Sequence, residues 1–193
     1  MNENQDAVMP RRLKQFVKPA SDISPDFRWD KTDARIGRLL IEHAKTPEAV
    51  NLFDRHAYKL TNYGYWFFLS TLWVDYTGWS DLDLWKKLFS SSRPLRETSI
   101  MKPSELKVFH ALANRLTVYR AHRPGETDWI SCTLIGQKAA EFAFRRGVDE
   151  VKEYFVSKAD VLCLFLRRGE YEVLILDKDK LEYSRTVEVR LEA

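Results

Sequence analysis

The feature that most constrains the fold is a change of hydrophobic period at Asn114. Upstream, apolar residues recur at spacings of three and four; downstream, short β-branched and aromatic segments alternate with polar residues. Helices followed by strands predict an α+β protein. In the first half, Ile36, Leu39 and Leu40, and then Val50, Leu52, Phe53, Tyr58 and Leu60, mark two amphipathic helices on either side of Pro47. Thr46-Pro47-Glu48 reads as a helix opening, with Thr46 as the cap, Pro47 in the first turn and Glu48 at the positive end of the dipole. Residues 63–76 are apolar nearly all round, which predicts a helix packed on several sides. Shorter helices are expected over 82–89 and over 104–112, behind Pro103.

The second half predicts strands over 116–119, 129–134, 152–156, 160–166, 171–176 and 184–190. A helix over 136–146, with Ala139, Ala140, Phe142 and Ala143 on its apolar side, is closed by Gly147. Residues 1–24 carry Pro10, Pro19, Arg11, Arg12, Lys14 and Lys18 without an apolar period, as a flexible basic arm would. The expected organisation is thus an arm (1–24), a helical part (25–114) and a strand-rich catalytic part (115–193), with 25–193 as one compact domain.

A chain of 193 residues with 45% hydrophobic content can bury one good core, and a formal charge of +3 does not announce a nucleic-acid binder. Cys132 and Cys163 sit in apolar runs without CxxC spacing, as buried reduced thiols do. The N-terminus lacks the apolar core of a signal peptide, and the stretch from Tyr63 to Val74 is too short and too aromatic to span a bilayer. A soluble cytoplasmic protein with no membrane partner is the expectation. The four histidines, His43, His56, His110 and His122, have no metal-ligand spacing, and no Walker loop or GxGxxG is present, so neither a metal nor a Rossmann cofactor is expected.

Three polar intrusions interrupt the strand-rich half. Arg120 ends the segment 116–119, Ser131 and Thr133 alternate within 129–134, and Glu170 and Glu172 open the apolar run Val173-Leu174-Ile175-Leu176. In an extended strand Glu170 and Glu172 share one face and Tyr171 packs on the other. Alone, such a pair is most simply the solvated side of an edge strand. Two neighbouring carboxylates can also divide charge stabilisation from proton handling, and an arginine grips phosphates bidentately. Carboxylates on one strand flank a sugar poorly, which counts against a retaining glycosidase.

In this order, Tyr119-Arg120-Ala121, Ser131-Cys132-Thr133 and Glu170-Tyr171-Glu172 resemble the Arg…Ser-x-Thr…Glu-x-Glu signature of mono-ADP-ribosyltransferases, in particular small phage, prophage or bacterial toxin-like members. The resemblance covers residues 116–176 and implies a split β-sheet around a cleft for NAD, a co-substrate used without metal. It implies that Arg120 holds the NAD ribose and phosphate, Ser131 orients Glu172, and Thr133 supports the same network. Glu172 would stabilise the charge that develops as nicotinamide leaves, while Glu170 would place the acceptor. An aromatic residue that stacks on nicotinamide would be Phe144 or Phe142, with Phe144 preferred because Phe142 has core spacing. Ala121 stands where many members carry glycine, and its backbone can still bind. The acceptor implied is a macromolecule, first an arginine on a host protein and second a nucleic acid. A non-catalytic binding or inhibitory protein is the alternative from another class.

Overall fold

The computed structural model describes residues 22–76, 78 and 81–189 of the chain. Arg11, Arg12, Lys14 and Lys18 of the expected basic arm lie outside them. The class is α+β: seven α-helices and a six-stranded antiparallel sheet among the described residues. No helix among these residues is long and apolar enough to cross a membrane. Two compact units divide between Leu106 and Lys107, ahead of the expected boundary at 114/115.

The helical unit contains α1 (Lys31–Glu42), α2 (Glu48–His56), α3 (Asn62–Asp75), α4 (Leu82–Phe89) and α5 (Arg96–Ile100). The opening of α2 differs from expectation. Pro47 is already helical and makes no side-chain cap, while the Thr46 hydroxyl donates to the His43 carbonyl at 2.7 Å and so stays with the preceding turn. The true caps are Asp30 for α1, Thr61 for α3 and Asp81 for α4, each extended and each accepting a first-turn N–H. As its all-round apolarity predicts, α3 buries Tyr65, Trp66, Leu69, Leu72 and Val74. Helix α5 was not legible because Arg96-Glu97-Thr98-Ser99 has no apolar period.

Helix α6 (Pro103–Ala111) spans the division between the units. In the strand-rich unit β1 (Arg115–Arg120), β2 (Ser131–Thr133), β3 (Glu150–Ser157), β4 (Cys163–Phe165), β5 (Glu172–Leu174) and β6 (Glu182–Glu188) lie in the order β4-β5-β2-β1-β3-β6. Three expected strands are shorter in the structure. Their flanks still bond across: Leu162 N–H donates to the Leu174 carbonyl and Ile175 N–H to the Ile130 carbonyl, each at 2.8 Å. Helix α7 (Gly136–Arg146) lies on the sheet, where Ala139 and Ala143, one turn apart and fully buried, meet Ala121 and Val151. It ends as Gly147 predicts, with φ +64° and the Val148 N–H bonded back to the Ala143 carbonyl. Cys132 and Cys163 are free and buried, as expected.

Candidate active site

The site is built from the end of β1 and the loop that follows it. Pro124 and Gly125 form the corner of a turn closed by the Glu126 N–H on the Arg123 carbonyl, 3.0 Å away, and Gly125 supplies the required positive φ of +72°. The turn carries Glu126 back onto Arg120. Arg120 Nε and Nη2 bind the two Glu126 oxygens at 2.9 and 2.6 Å, and Nη1 donates to the Ser131 carbonyl at 2.5 Å, with Ser131 Oγ at 3.5 Å. Both side chains of the pair are only 10% exposed. His122 Nδ1 lies 2.9 Å from the same carboxylate, and His122 Nε2 lies 2.8 Å from the Tyr154 hydroxyl. Trp129 packs against this group, its ring centroid 4.3 Å from that of His122, and its indole Nε1 is buried without a hydrogen-bond partner.

Burial alone would raise the Glu126 carboxyl, but the bonds and charges of His122 and Arg120 outweigh it and hold the group down to about 2. An ionised Glu126 only accepts, so His122 Nδ1 carries its hydrogen. Burial pushes the Tyr154 hydroxyl up to about 12, so it keeps its proton beside Nε2. Both imidazole nitrogens thereby have a hydrogen-bond partner. Arg146 donates to the Ala121 carbonyl and is lowered to about 10, by burial first and then by repulsion from Arg120 and Arg123. Three guanidiniums thus share a neighbourhood with one carboxylate.

Of the residues expected to form a site, Arg120 and Ser131 are in contact. Thr133 stands directly opposite Glu172 in the ladder, Ser131 stands opposite Leu174, and Tyr119 stands opposite Thr133. Burial raises the Cys132 thiol to about 12, and the charges of Arg120, Glu172 and Glu126 act on it more weakly. The strand carrying two glutamates on one face is corrected. β5 begins only at Glu172, because Arg168, Gly169 and Tyr171 take positive φ values of +64°, +66° and +50°, and Glu170 between them is helical in φ and ψ. Glu170 therefore leads into the strand on a tight turn. Its carboxylate pairs with Arg168 at 2.6 Å, and its carbonyl accepts from Thr133 Oγ1, also at 2.6 Å. Tyr171 is buried, as expected of a packing residue.

Ala121 is buried under α7 with its carbonyl taken by Arg146. Phe142 packs into the alanine cluster, as its spacing predicts, while Phe144 is 63% exposed. Glu126, Tyr154, Trp129 and Arg146 were not singled out from sequence. The available signal was the Arg-Ala-His-Arg-Pro-Gly-Glu run, whose Pro-Gly corner returns a carboxylate to the arginine. No protein-family model matches the chain, and neither the curated proteins nor the solved structures contain a match to it.

Proposed function

We propose that the strand-rich unit is a mono-ADP-ribosyltransferase that uses NAD and releases nicotinamide. Support rests on one observation above the others: β2 carries both Ser131, on whose carbonyl the Arg120 guanidinium of β1 lies, and Thr133, which stands opposite Glu172 of β5. The excess of guanidinium over carboxylate around Arg120, Arg123 and Arg146 suits the diphosphate of NAD. A split of the sheet around a cleft is part of the proposal, and the β1–β2 seam, joined by the single registered pair Tyr119 and Thr133, is its natural position.

In this proposal the bond between nicotinamide nitrogen and ribose carbon breaks, and its electron pair leaves with nicotinamide. The Glu172 carboxylate stabilises the positive charge left on the ribose, and a nitrogen of the acceptor then bonds to that carbon and loses a proton. Thr133 supports the turn before β5 through its bond to the Glu170 carbonyl, which fixes where Glu172 starts. Glu170, on that turn and paired with Arg168, is the acceptor-facing group. The first-choice acceptor is an arginine of another protein.

The test is nicotinamide release from NAD by the wild type and by Glu172→Gln. A loss of about 100-fold or more at unchanged melting temperature is expected. Equal release from both proteins would remove Glu172 from the chemistry, and no release from the wild type with protein and nucleic-acid acceptors present would favour a binding protein. Label recovered in a nuclease-sensitive fraction would move the acceptor from protein to nucleic acid.

A further inference from the structure

We propose that Glu126 is a positioning residue for Arg120, fixed in turn by His122 and Tyr154, and that it sets the edge of the guanidinium presented to an anionic ligand. The inference rests on the NAD-site proposal only for the identity of that ligand.

A guanidinium has five N–H groups in one plane and two edges that match an oxyanion. Glu126 takes the side edge, through Nε and Nη2, and the Ser131 carbonyl takes a hydrogen of Nη1. Ser131 Oγ, at 3.5 Å, is a second partner of Nη1, so the N–H left over is the second one of Nη2, on the edge away from Nε. Without the carboxylate, Arg120 could turn about its last side-chain bonds and offer any edge.

Glu126 is itself held. Its backbone sits on the Pro124-Gly125 corner, and His122 donates to the same oxygen that receives Arg120 Nε. The Tyr154 hydroxyl bonds the far side of the imidazole from β3, so a rigid strand backs a loop side chain. Trp129 closes the edge of the His122 ring. A carboxylate with both oxygens bonded, behind a histidine with both nitrogens bonded, is more constraint than a surface turn requires. Its effect falls on one group, Arg120.

Two measurements on the full chain test the idea. The first is the Arg120 side-chain Nε–H resonance, assigned by its loss in Arg120→Lys. In the wild type it should be single and slow to exchange, because the Glu126 carboxylate holds it. In Glu126→Gln it should move and exchange at least about tenfold faster. The second is steady-state NAD cleavage, in which Glu126→Gln should raise KM about tenfold or more and change kcat less than about threefold, as loss of uniform ligand binding does. Glu126→Asp should recover part of that loss, and Tyr154→Phe, which removes only the outermost bond, should give a smaller shift of the same kind.

An unmoved Arg120 resonance in Glu126→Gln overturns the positioning role. So does a lower melting temperature with both kinetic constants intact. If Glu126→Gln does not fold, the same two readouts on Glu126→Asp and Tyr154→Phe decide, and wild-type values in both variants overturn the proposal. A wild type that neither binds nor cleaves NAD defeats the NAD-site proposal alone, because the resonance still reports whether Glu126 fixes Arg120.

Discussion

Each unit buries polar side chains, but to different ends. In the helical unit each such group closes a local joint. The Asp33 carboxylate takes the Thr61 N–H at 3.0 Å and the Thr61 hydroxyl at 2.5 Å, which ties α1 to the start of α3. Arg93 donates to the Leu60 and Ala57 carbonyls, each at 2.9 Å, and lies over the Tyr65 ring; Tyr65 in turn donates to the Leu88 carbonyl. The strand-rich unit instead gathers Arg120, Arg146, Glu126, His122 and Tyr154 round one loop, with an excess of cation and a buried indole N–H left without a partner. Groups that staple backbone are satisfied singly and locally. Binding sites are enriched in clusters whose charges do not balance.

The largest effect expected tests the stapling side. Gly64 lies against the Asp33 carboxylate, and a Cβ there would overlap it. Gly64→Ala should therefore cost about 3 kcal/mol in denaturant unfolding, by overpacking and by displacing Asp33 from Thr61. A cost below about 1 kcal/mol would mean that the α1–α3 joint is loose, and the contrast with the strand-rich unit would fail at its first term.

An effect of similar size, read by pH, tests the other side. Unfolded, Glu126 takes up a proton near its ordinary value of 4.5; folded, it does so only at about 2. Its contribution is complete above about pH 4.5 and is lost as pH falls towards 2, a change of about 3 kcal/mol. Glu153, also lowered in the fold despite its burial, by Arg185 and Ser184, adds a loss of the same sign. The difference between wild type and Glu126→Gln isolates Glu126: the variant should show a flatter decline between pH 4.5 and 2. Parallel curves would show that Arg120 does not depend on this carboxylate.

Next in size is Arg93→Lys. The ammonium keeps the charge but cannot reach two carbonyls as a planar fork while lying on a ring, so about 2 kcal/mol should be lost. Nicotinamide release at temperatures below the transition should not change, because the Arg93 guanidinium is engaged by the Leu60 and Ala57 carbonyls and the Tyr65 ring. A selective fall in release without a fall in stability would blur the division between the two kinds of polar group.

Hydrophobic period made most of the architecture legible, and one glycine marked a helix end. The apolar circumference of residues 63–76 gave α3, and Gly147 marked the end of α7. Strand lengths were overestimated because apolar content continues past the paired backbone, as at Val161 and Ile175, both buried outside a strand. Order along the chain picked out Arg120 and Ser131, which touch, and Thr133 and Glu172, which stand opposite one another, whereas alternation misplaced Glu170. Three positive φ values, two of them at non-glycine residues, turn the backbone just before β5, and side-chain types alone do not reveal such a turn. Glu126 escaped notice for a different reason: its partner is six residues away across a Pro-Gly corner, a separation that neither helical nor strand periodicity samples.

The smallest effect concerns the two phenylalanines of α7 and separates packing from binding on one helix. Phe142 lies in the Ala121–Val151 cluster with Arg145 and Arg146 over its ring, so Phe142→Ala should cost about 2 kcal/mol, below the value for a fully buried ring because this one is only partly covered. Phe144 is 63% exposed, so Phe144→Ala should change stability by less than about 0.5 kcal/mol. An exposed ring so cheap to remove is not held there by packing. If it stacks on nicotinamide, its loss should raise the KM for NAD by about five- to tenfold, in keeping with about 1 kcal/mol for an aromatic contact. The stability measurement fixes which phenylalanine is core, and the KM decides whether the other one binds. A KM shift in Phe142→Ala with none in Phe144→Ala would reverse the preference and place the ligand against the packed face of α7.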